Sequence, residues 1–399
     1  MSVAVAPEIV ATGGVTAPRD FVASGVHCGI RREKLDLALV RSLRRATGAA
    51  MFTVNRMQAA PVKVSKDHLE LAEPQAVVIN SGIANAATGA RGERDARTTA
   101  AGAAGLLRLA QEEVLVLSTG VIGAPLPLKR ILTGLASATR ALSSEGGEDA
   151  AEAILTTDTR TKLTVSYGPG FAVGGMAKGS GMIHPNLATM LAVLTTDYPL
   201  EHGEAIEFLR PAVEASFNSI SVDGECSTND AVVLLANGAS ELDRTPASDE
   251  AFALALRRAC ADLAAQIVAD GEGATVLAEI KVAGAATELE ARAIARRIAT
   301  SSLVKTALFG RDANWGRVLA AAGSAPYNGG FAQLDPDRIT LRYGGTTVLA
   351  AGVAQEVEPD LSGETCTIEL DLGLGDGHAS YLTSDLSYDY VRINADYRT

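Results

Sequence analysis

Two unbroken apolar runs, Ala76-Val77-Val78-Ile79 and Val114-Leu115-Val116-Leu117, constrain this 399-residue chain most. Each is short, rich in branched side chains, and passes straight into a polar stretch that bears glycine, Asn80-Ser81-Gly82 and Ser118-Thr119-Gly120. The pattern predicts two buried strands ending near Asn80 and Ser118. Loops at strand ends are where reactive groups tend to sit. Between the strands, residues 96–110 carry Ala and Leu at helical spacing, and comparable helices are expected at 203–217, 250–269 and 286–300. Short strands recur near 162–167, 190–196, 230–236, 277–283, 338–343 and 365–371, several in hairpin-like succession. A layered, antiparallel α+β architecture fits that order better than a doubly wound sheet. The candidate breaks are 143–148, 238–249 and 323–335, and none has the composition of a linker.

Composition narrows the function classes. The formal net charge is −12, and the few basic clusters, such as Arg41 to Arg45, are short and read as a solvated helix face. Nucleic-acid binding is therefore not expected, because phosphate contacts need clustered Lys and Arg. No apolar run approaches the roughly 18 residues that span a bilayer. The first residues lack a basic segment and contain Pro7 and Glu8, unlike a signal peptide. A cytoplasmic protein with no membrane partner is the expectation. Cys28, Cys226, Cys260 and Cys366 lie far apart, so buried or inert thiols are expected rather than a zinc site or a disulfide framework. The five histidines form no HxH or HxxxH pair, and no metal is expected. There is no G-x-S-x-G elbow and no phosphate-binding GK[ST], and Gly373-x-Gly375-x-Gly377 reads as a turn.

What remains is residues 174–197, GGMAKGSGMIHPNLATMLAVLTTD. Here a glycine-rich loop and a Pro185-Asn186 turn deliver Ala188-Thr189 onto a strand from Met190. A threonine heading a strand is ordinary, since β-branched residues favour strands. It becomes chemically interesting if the bond before it is cut. The freed α-amino group, with an ordinary pKa of about 7.7–8.0, would then sit beside the hydroxyl it could deprotonate. One residue would supply both nucleophile and base.

That run, with STGVIG at 118–123, TTDT at 156–159, CSTND at 226–230, DGEGAT at 270–275 and LVKTALFGRDANWGRVLAA at 303–321, closely resembles the ornithine acetyltransferase (glutamate N-acetyltransferase, ArgJ) family. The matches run in order from about residue 15 onward. The resemblance implies an αββα sandwich of the ArgJ/DmpA type over about residues 1–280, with a smaller α/β domain over about 281–399. It implies self-cleavage between Ala188 and Thr189, giving an α chain of residues 1–188 and a β chain of 189–399, assembled as α2β2. Thr189 would attack the Ala188 carbonyl in an N-to-O acyl shift, and hydrolysis of the ester would free its amine. In turnover Thr189 would take the acetyl group of N-acetylornithine and pass it to glutamate.

The family's oxyanion hole maps onto Thr119 and Gly120, a hydroxyl and a backbone N–H. Taken alone, Ser118-Thr119-Gly120 reads as a turn. Substrate contacts map onto Thr156, Lys178, Thr189, Glu272, Asn394 and Thr399, with Thr157 adjacent to Thr156 as an alternative. Lys178 would meet a carboxylate and Glu272 an ammonium; alone, each reads as a surface or strand-capping residue. Trp315 is as readily a packing anchor as a contact, and residues 80–89 read as a loop near the site. No cofactor is implied, and acetyl-CoA stays open as a second donor. Two other readings remain: an N-terminal-threonine amidohydrolase or aminopeptidase with water as acceptor, and an unprocessed amino-acid-binding regulator.

Overall fold

The computed structural model describes residues 13–184 and 190–396. A first sheet runs in the order β1 (Phe21–Val26), β2 (Leu37–Ser42), β4 (Ala76–Ile83), β5 (Val114–Val121). A second runs β3 (Thr47–Phe52), β10 (Ala231–Ala236), β8 (Leu191–Thr196), β7 (Phe171–Lys178), β6 (Lys162–Gly168). The two apolar runs are the cores of β4 and β5, and their lack of polar alternation has a direct cause. Val77, Ile79, Leu115 and Leu117 face the second sheet across a shared core with Met176, Leu191, Val193, Val233 and Leu235. Their neighbours Ala76, Val78, Val114 and Val116 face the other way, into a core with the helices α2 (Gly89–Leu107) and α3 (Leu128–Ala141). With both faces covered, every position is apolar, and each Val, Leu or Ile so buried contributes about 1.5–3 kcal/mol.

Helix α1 (Ala60–Leu71) completes the cover of the first sheet, packing on β5. The outer face of the second sheet is covered by α5 (Ala205–Glu214) and α6 (Pro246–Ala269) around Leu209, Phe252, Leu256 and Leu263. Thr245 caps α6 by accepting the Ser248 N–H at 3.2 Å, and Pro246 opens its first turn. The layers are thus helix, sheet, sheet, helix, with the short α4 (Gly147–Ala153) set into the inter-sheet core.

Six of the remaining strands form a third sheet, which β9 (Ile220–Ser221) joins at one edge. They are β11 (Leu277–Ala285), β14 (Thr340–Tyr343), β15 (Thr346–Ala350), β16 (Val353–Ala354), β17 (Thr365–Asp371) and β18 (Gly377–Ser384), ordered β16-β15-β14-β17-β11-β18-β9. Helices α7 (Glu288–Ala299), α8 (Ser302–Phe309) and α9 (Trp315–Gly323) pack on it around Ile280, Ile294 and Ile368. Strands β12 (Pro326–Tyr327) and β13 (Gly330–Phe331) form a separate hairpin, and α10 (Tyr388–Asp396) ends the described chain. Trp315 opens α9, where Asn314 caps the helix, and it packs against this third core.

Three sequence expectations need correction. The sheets are mixed: β4–β5, β8–β10, β11–β17 and β9–β18 pair in parallel. Arg41 to Arg45 is the end of β2 and a turn, not a helix; Arg44 pairs with Asp20 at 2.6 Å and Glu241 at 3.0 Å, Arg45 pairs with Glu113, and Arg41 donates to the Leu107 carbonyl at 3.2 Å. The strands β4 and β5 also run past Asn80 and Ser118, pairing Ser81 with Thr119 and Gly82 with Gly120. Thr119 and Gly120 are therefore strand residues rather than a turn. Among the thiols, Cys260 and Cys366 are buried, whereas Cys28 and Cys226 are half-buried. No helix among the described residues is long and apolar enough to cross a membrane.

Candidate active site

A cavity of about 210 Å³ opens where the ends of β5 and β7 meet the third sheet's side of the molecule. Thr119 and Gly120 form part of its wall from β5. Gly120 has φ 126°, and a Cβ there would lie 2.3 Å from the Gly82 carbonyl carbon. The two parallel strands can approach this closely only because Gly120 has no side chain.

Thr156, Thr157 and Lys178 supply the cationic end. Lys178 closes β7 and is 2% exposed, with its ammonium 3.7 Å from Asp158 Oδ2. Asp158 is a hub. Its Oδ1 accepts from Lys162 at 2.8 Å and from the Gly179 N–H at 2.6 Å, and its Oδ2 accepts from the Thr156 N–H at 3.0 Å. Lys162 also donates to Asp270 at 2.6 Å, and Asp270 accepts from Thr159. Two lysines and two aspartates thus lie buried in one chain of ion pairs. Burial alone would raise the Asp158 carboxyl, but Lys178 and Lys162 outweigh it and hold the group well below the usual carboxylate range. For Lys178 the balance goes the other way: burial lowers its ammonium, and Asp158 at 3.7 Å only partly offsets that. The result is a desolvated cation whose nearest carboxylate is beyond hydrogen-bond reach, which favours a second anion arriving from the cavity.

Glu272, Asn394, Asp223 and Tyr390 form the acidic end. Glu272 donates its N–H to the Ser180 carbonyl at 2.8 Å and accepts from Asn394 Nδ2 at 2.7 Å. Gly181 lies under it, where a Cβ would come within 2.4 Å of the Glu272 carboxylate. Asp223 accepts the N–H groups of Met182 at 2.6 Å and Ile183 at 2.9 Å, and the Tyr390 hydroxyl at 3.3 Å. Burial pushes its carboxyl up. These bonds hold Met182 with φ 57°, an uncommon conformation for a residue with a side chain.

The structure brings together Thr119, Gly120, Thr156, Lys178, Glu272 and Asn394, six positions separated by up to 275 residues in sequence. Thr157 lines the same cavity, so both threonines touch it: the Thr156 hydroxyl turns to Asp158 Oδ2 at 3.4 Å and the Thr157 hydroxyl to Ser180 at 2.7 Å. Ala188, Thr189 and Thr399 lie outside the described residues. The chain after Thr189 is described again from Met190, whose N–H donates to Asp230 Oδ1 at 3.0 Å. Sequence reasoning missed Asp158, Lys162, Asp270, Asp223, Asn229, Asp230 and Tyr390. Asp158 and Asn229-Asp230 stand inside TTDT and CSTND, but those runs carry no spacing that assigns a role. Lys162 and Asp270 meet across 108 residues and leave no local pattern. Among the described residues, no group of three His, Cys, Asp or Glu side chains is arranged to hold a metal ion.

A cavity cationic at one end and acidic at the other suits a small molecule carrying a carboxylate and an ammonium. Comparison with known proteins shows the family. The ArgJ family model matches residues 22–399. The arginine biosynthesis bifunctional protein ArgJ of Symbiobacterium thermophilum is 47% identical over 402 residues, covering 97% of this chain and 99% of that protein. The protein of the same name from Bacillus subtilis is 43% identical over 401 residues, covering 97% of each. Among solved structures, the ornithine acetyltransferase of Mycobacterium tuberculosis complexed with ornithine is 39% identical, covering 44% of this chain and 96% of that one, with a TM-score of 0.40. On the family match and the full-length identities, this chain is a member of the ArgJ family.

Proposed function

We propose that the protein moves the acetyl group of N2-acetyl-L-ornithine to L-glutamate, giving L-ornithine and N-acetyl-L-glutamate, with Thr189 as nucleophile after cleavage of the Ala188–Thr189 bond. The observation that carries the reading is the charge division of the cavity, with Lys178 at one end, Glu272 and Asp223 at the other, and Thr119 and Gly120 on the wall between strands. The Thr189 hydroxyl adds to the acetyl carbonyl and its proton passes to the Thr189 amine. The tetrahedral oxyanion is met by the Thr119 hydroxyl and the Gly120 N–H. Collapse breaks the C–N bond, the leaving amine of ornithine takes the proton, and an acetyl ester remains on Thr189. The glutamate amine then attacks that ester and regenerates the hydroxyl. Lys178 holds the α-carboxylate common to both amino acids, with Thr156 and Asn394 as further contacts and Thr399 as a contact from the end of the chain. Glu272 meets the ornithine ammonium.

The mature enzyme is an α2β2 assembly of residues 1–188 and 189–399, working in the cytoplasm. Acetyl-CoA serves as a second donor if the cavity admits its thioester. The purified protein, given N-acetylornithine and glutamate, is expected to form N-acetylglutamate and ornithine in equal amounts. Release of free acetate without N-acetylglutamate would instead establish the amidohydrolase reading, and binding of ornithine without turnover the regulator.

A further inference from the structure

Asn229 and Asp230 are adjacent, buried, and absent from the chemistry above, yet each holds a peptide group next to a reacting residue. Asn229 is 5% exposed, and its Nδ2 donates to two carbonyls, Ser118 at 2.9 Å and Ala84 at 2.6 Å. The Ser118 carbonyl belongs to the peptide that leads into Thr119. The Asn229 side-chain oxygen is itself fixed by the Thr228 hydroxyl at 2.6 Å, and its backbone N–H by the Ser227 hydroxyl at 3.1 Å. Asp230 is fully buried, and its Oδ1 accepts the Met190 N–H, the amide that joins residue 190 to Thr189. The next residue, Ala231, donates its N–H to the Met190 carbonyl at 3.2 Å, so both polar backbone groups of Met190 are held from one side. The loop is tied down in turn: Thr53 donates its N–H to the Asp230 carbonyl at 3.0 Å, and Ala59 to that of Thr228 at 2.9 Å.

We infer that Asn229 and Asp230 act as a bracket that sets the distance between nucleophile and oxyanion hole. Asn229 fixes the peptide before Thr119 on β5, and Asp230 fixes the peptide after Thr189 ahead of β8. The inference rests on the reading of Thr189 and Thr119 given above. It gives a physical reason why both belong to consecutive residues. Once the Ala188–Thr189 bond is cut, nucleophile and oxyanion donors stand on different polypeptides. No covalent path through the junction then keeps them in register. Two neighbouring side chains on one rigid loop can do so, because the spacing between adjacent residues is fixed by backbone geometry. A misplacement of about 1 Å is enough to cost ~10²-fold in rate. Both are positioning residues. Burial pushes the Asp230 carboxyl well above the usual range, which makes a neutral amide a close substitute for it.

The test compares acetyl transfer and self-cleavage in the full-length wild type, Thr189→Ala, Thr119→Ala, Asn229→Ala, Asp230→Ala, Asp230→Asn and the double variant Thr119→Ala/Asn229→Ala. Removing one oxyanion donor commonly costs ~10²-fold, so Thr119→Ala sets the scale. Asn229→Ala is expected to lower kcat about tenfold in the wild type but less than about twofold when Thr119 is already Ala, since it acts through that residue. Asp230→Ala is expected to lower kcat by about 10–10²-fold with KM within about twofold, because it moves the nucleophile and not the substrate contacts. Asp230→Asn, which keeps an acceptor for the Met190 N–H, should recover most of that loss. It carries the Asp230 arm if Asp230→Ala does not accumulate folded, and a kcat more than about tenfold below wild type would then count against the bracket. An equal fold-loss for Asn229→Ala in both backgrounds, or Asp230→Asn as impaired as Asp230→Ala, overturns the bracket while leaving the acetyl-transfer reading intact. An active Thr189→Ala, or an active wild type that is never cut, overturns that reading and the bracket with it.

Discussion

The two ends of the cavity carry opposite charge and are built by opposite means. The cationic end is fixed from within: Lys178 is 2% exposed and rests on Asp158, which is clamped by Lys162 and by the N–H groups of Thr156 and Gly179. At the acidic end Asp223 is held by backbone N–H groups, but the Glu272 carboxylate is fixed from outside, by Asn394 on the exposed helix α10, and lies over a glycine. A buried ion-pair chain is expensive to break and hardly adapts, whereas an exposed contact contributes little and can move. The difference matches the proposed chemistry. In that proposal every substrate would bring the same α-carboxylate to Lys178, while donor and acceptor would differ in their side-chain ends, one an ammonium and the other a carboxylate. A rigid end for what is shared and an adjustable end for what varies lets one cavity serve both halves of a ping-pong cycle.

The comparison breaks most directly at Asp158. Replacing it with Ala leaves two buried lysines with one carboxylate, and the expected cost is about 3–5 kcal/mol of stability, measured by denaturant unfolding. Its pH dependence has a definite sign. The folded carboxyl sits below its ordinary value of 3.8, so its contribution is complete above that value and is lost as pH falls through the depressed one. Asp158→Asn should therefore flatten the acid side of the stability profile below about pH 4. An unaltered acid limb would show that the ion-pair chain does not stabilise the fold.

Next in size is Lys178→Met. Loss of a charge-assisted bond worth about 1.5–3 kcal/mol should raise KM for N-acetylornithine and glutamate alike, by about 10–150-fold. Because burial lowers the Lys178 ammonium, stability should hold or rise, since the change removes a desolvated charge while Asp158 keeps Lys162. A KM change confined to one substrate would sever Lys178 from the shared carboxylate.

Gly181→Ala should displace the Glu272 carboxylate without unfolding the protein, because the atom it strikes is the free end of a flexible side chain. The expected result is a rise of about 3–10-fold in KM for N-acetylornithine, a loss of roughly 0.7–1.4 kcal/mol, with KM for glutamate little changed. The smallest effect is expected for Asn394→Ala. Loss of one exposed hydrogen bond to Glu272, about 0.5–1 kcal/mol, should shift the same KM about two- to fivefold. If Asn394→Ala exceeds Lys178→Met, the rigid and adjustable ends have been assigned the wrong way round.

Much of this was legible in the sequence, and the failures share a cause. The cores of β4 and β5 were readable because unbroken apolar runs need cover on both faces, which the helices and the second sheet supply. Thr119 and Gly120 were readable as candidates but not as strand residues. Their pairing with Ser81 and Gly82 depends on a close approach of two glycines on different strands, 38 residues apart in sequence. The Arg41 to Arg45 turn was misread as helical because its partners Asp20, Glu113 and Glu241 are remote in sequence. The same limit hid Asp158, Lys162 and Asp270. Local spacing encodes which face of an element is apolar, and it carries no record of which charges meet after folding.

The central claim is that one bond in the middle of the chain is cut to make the nucleophile. Denaturing mass spectrometry of an actively transferring preparation tests it most directly. The account predicts two species with the masses of residues 1–188 and 189–399, the second beginning at Thr189 and gaining one acetyl group when N-acetylornithine is supplied without acceptor. A single uncut 399-residue chain in a preparation that transfers acetyl groups would contradict it.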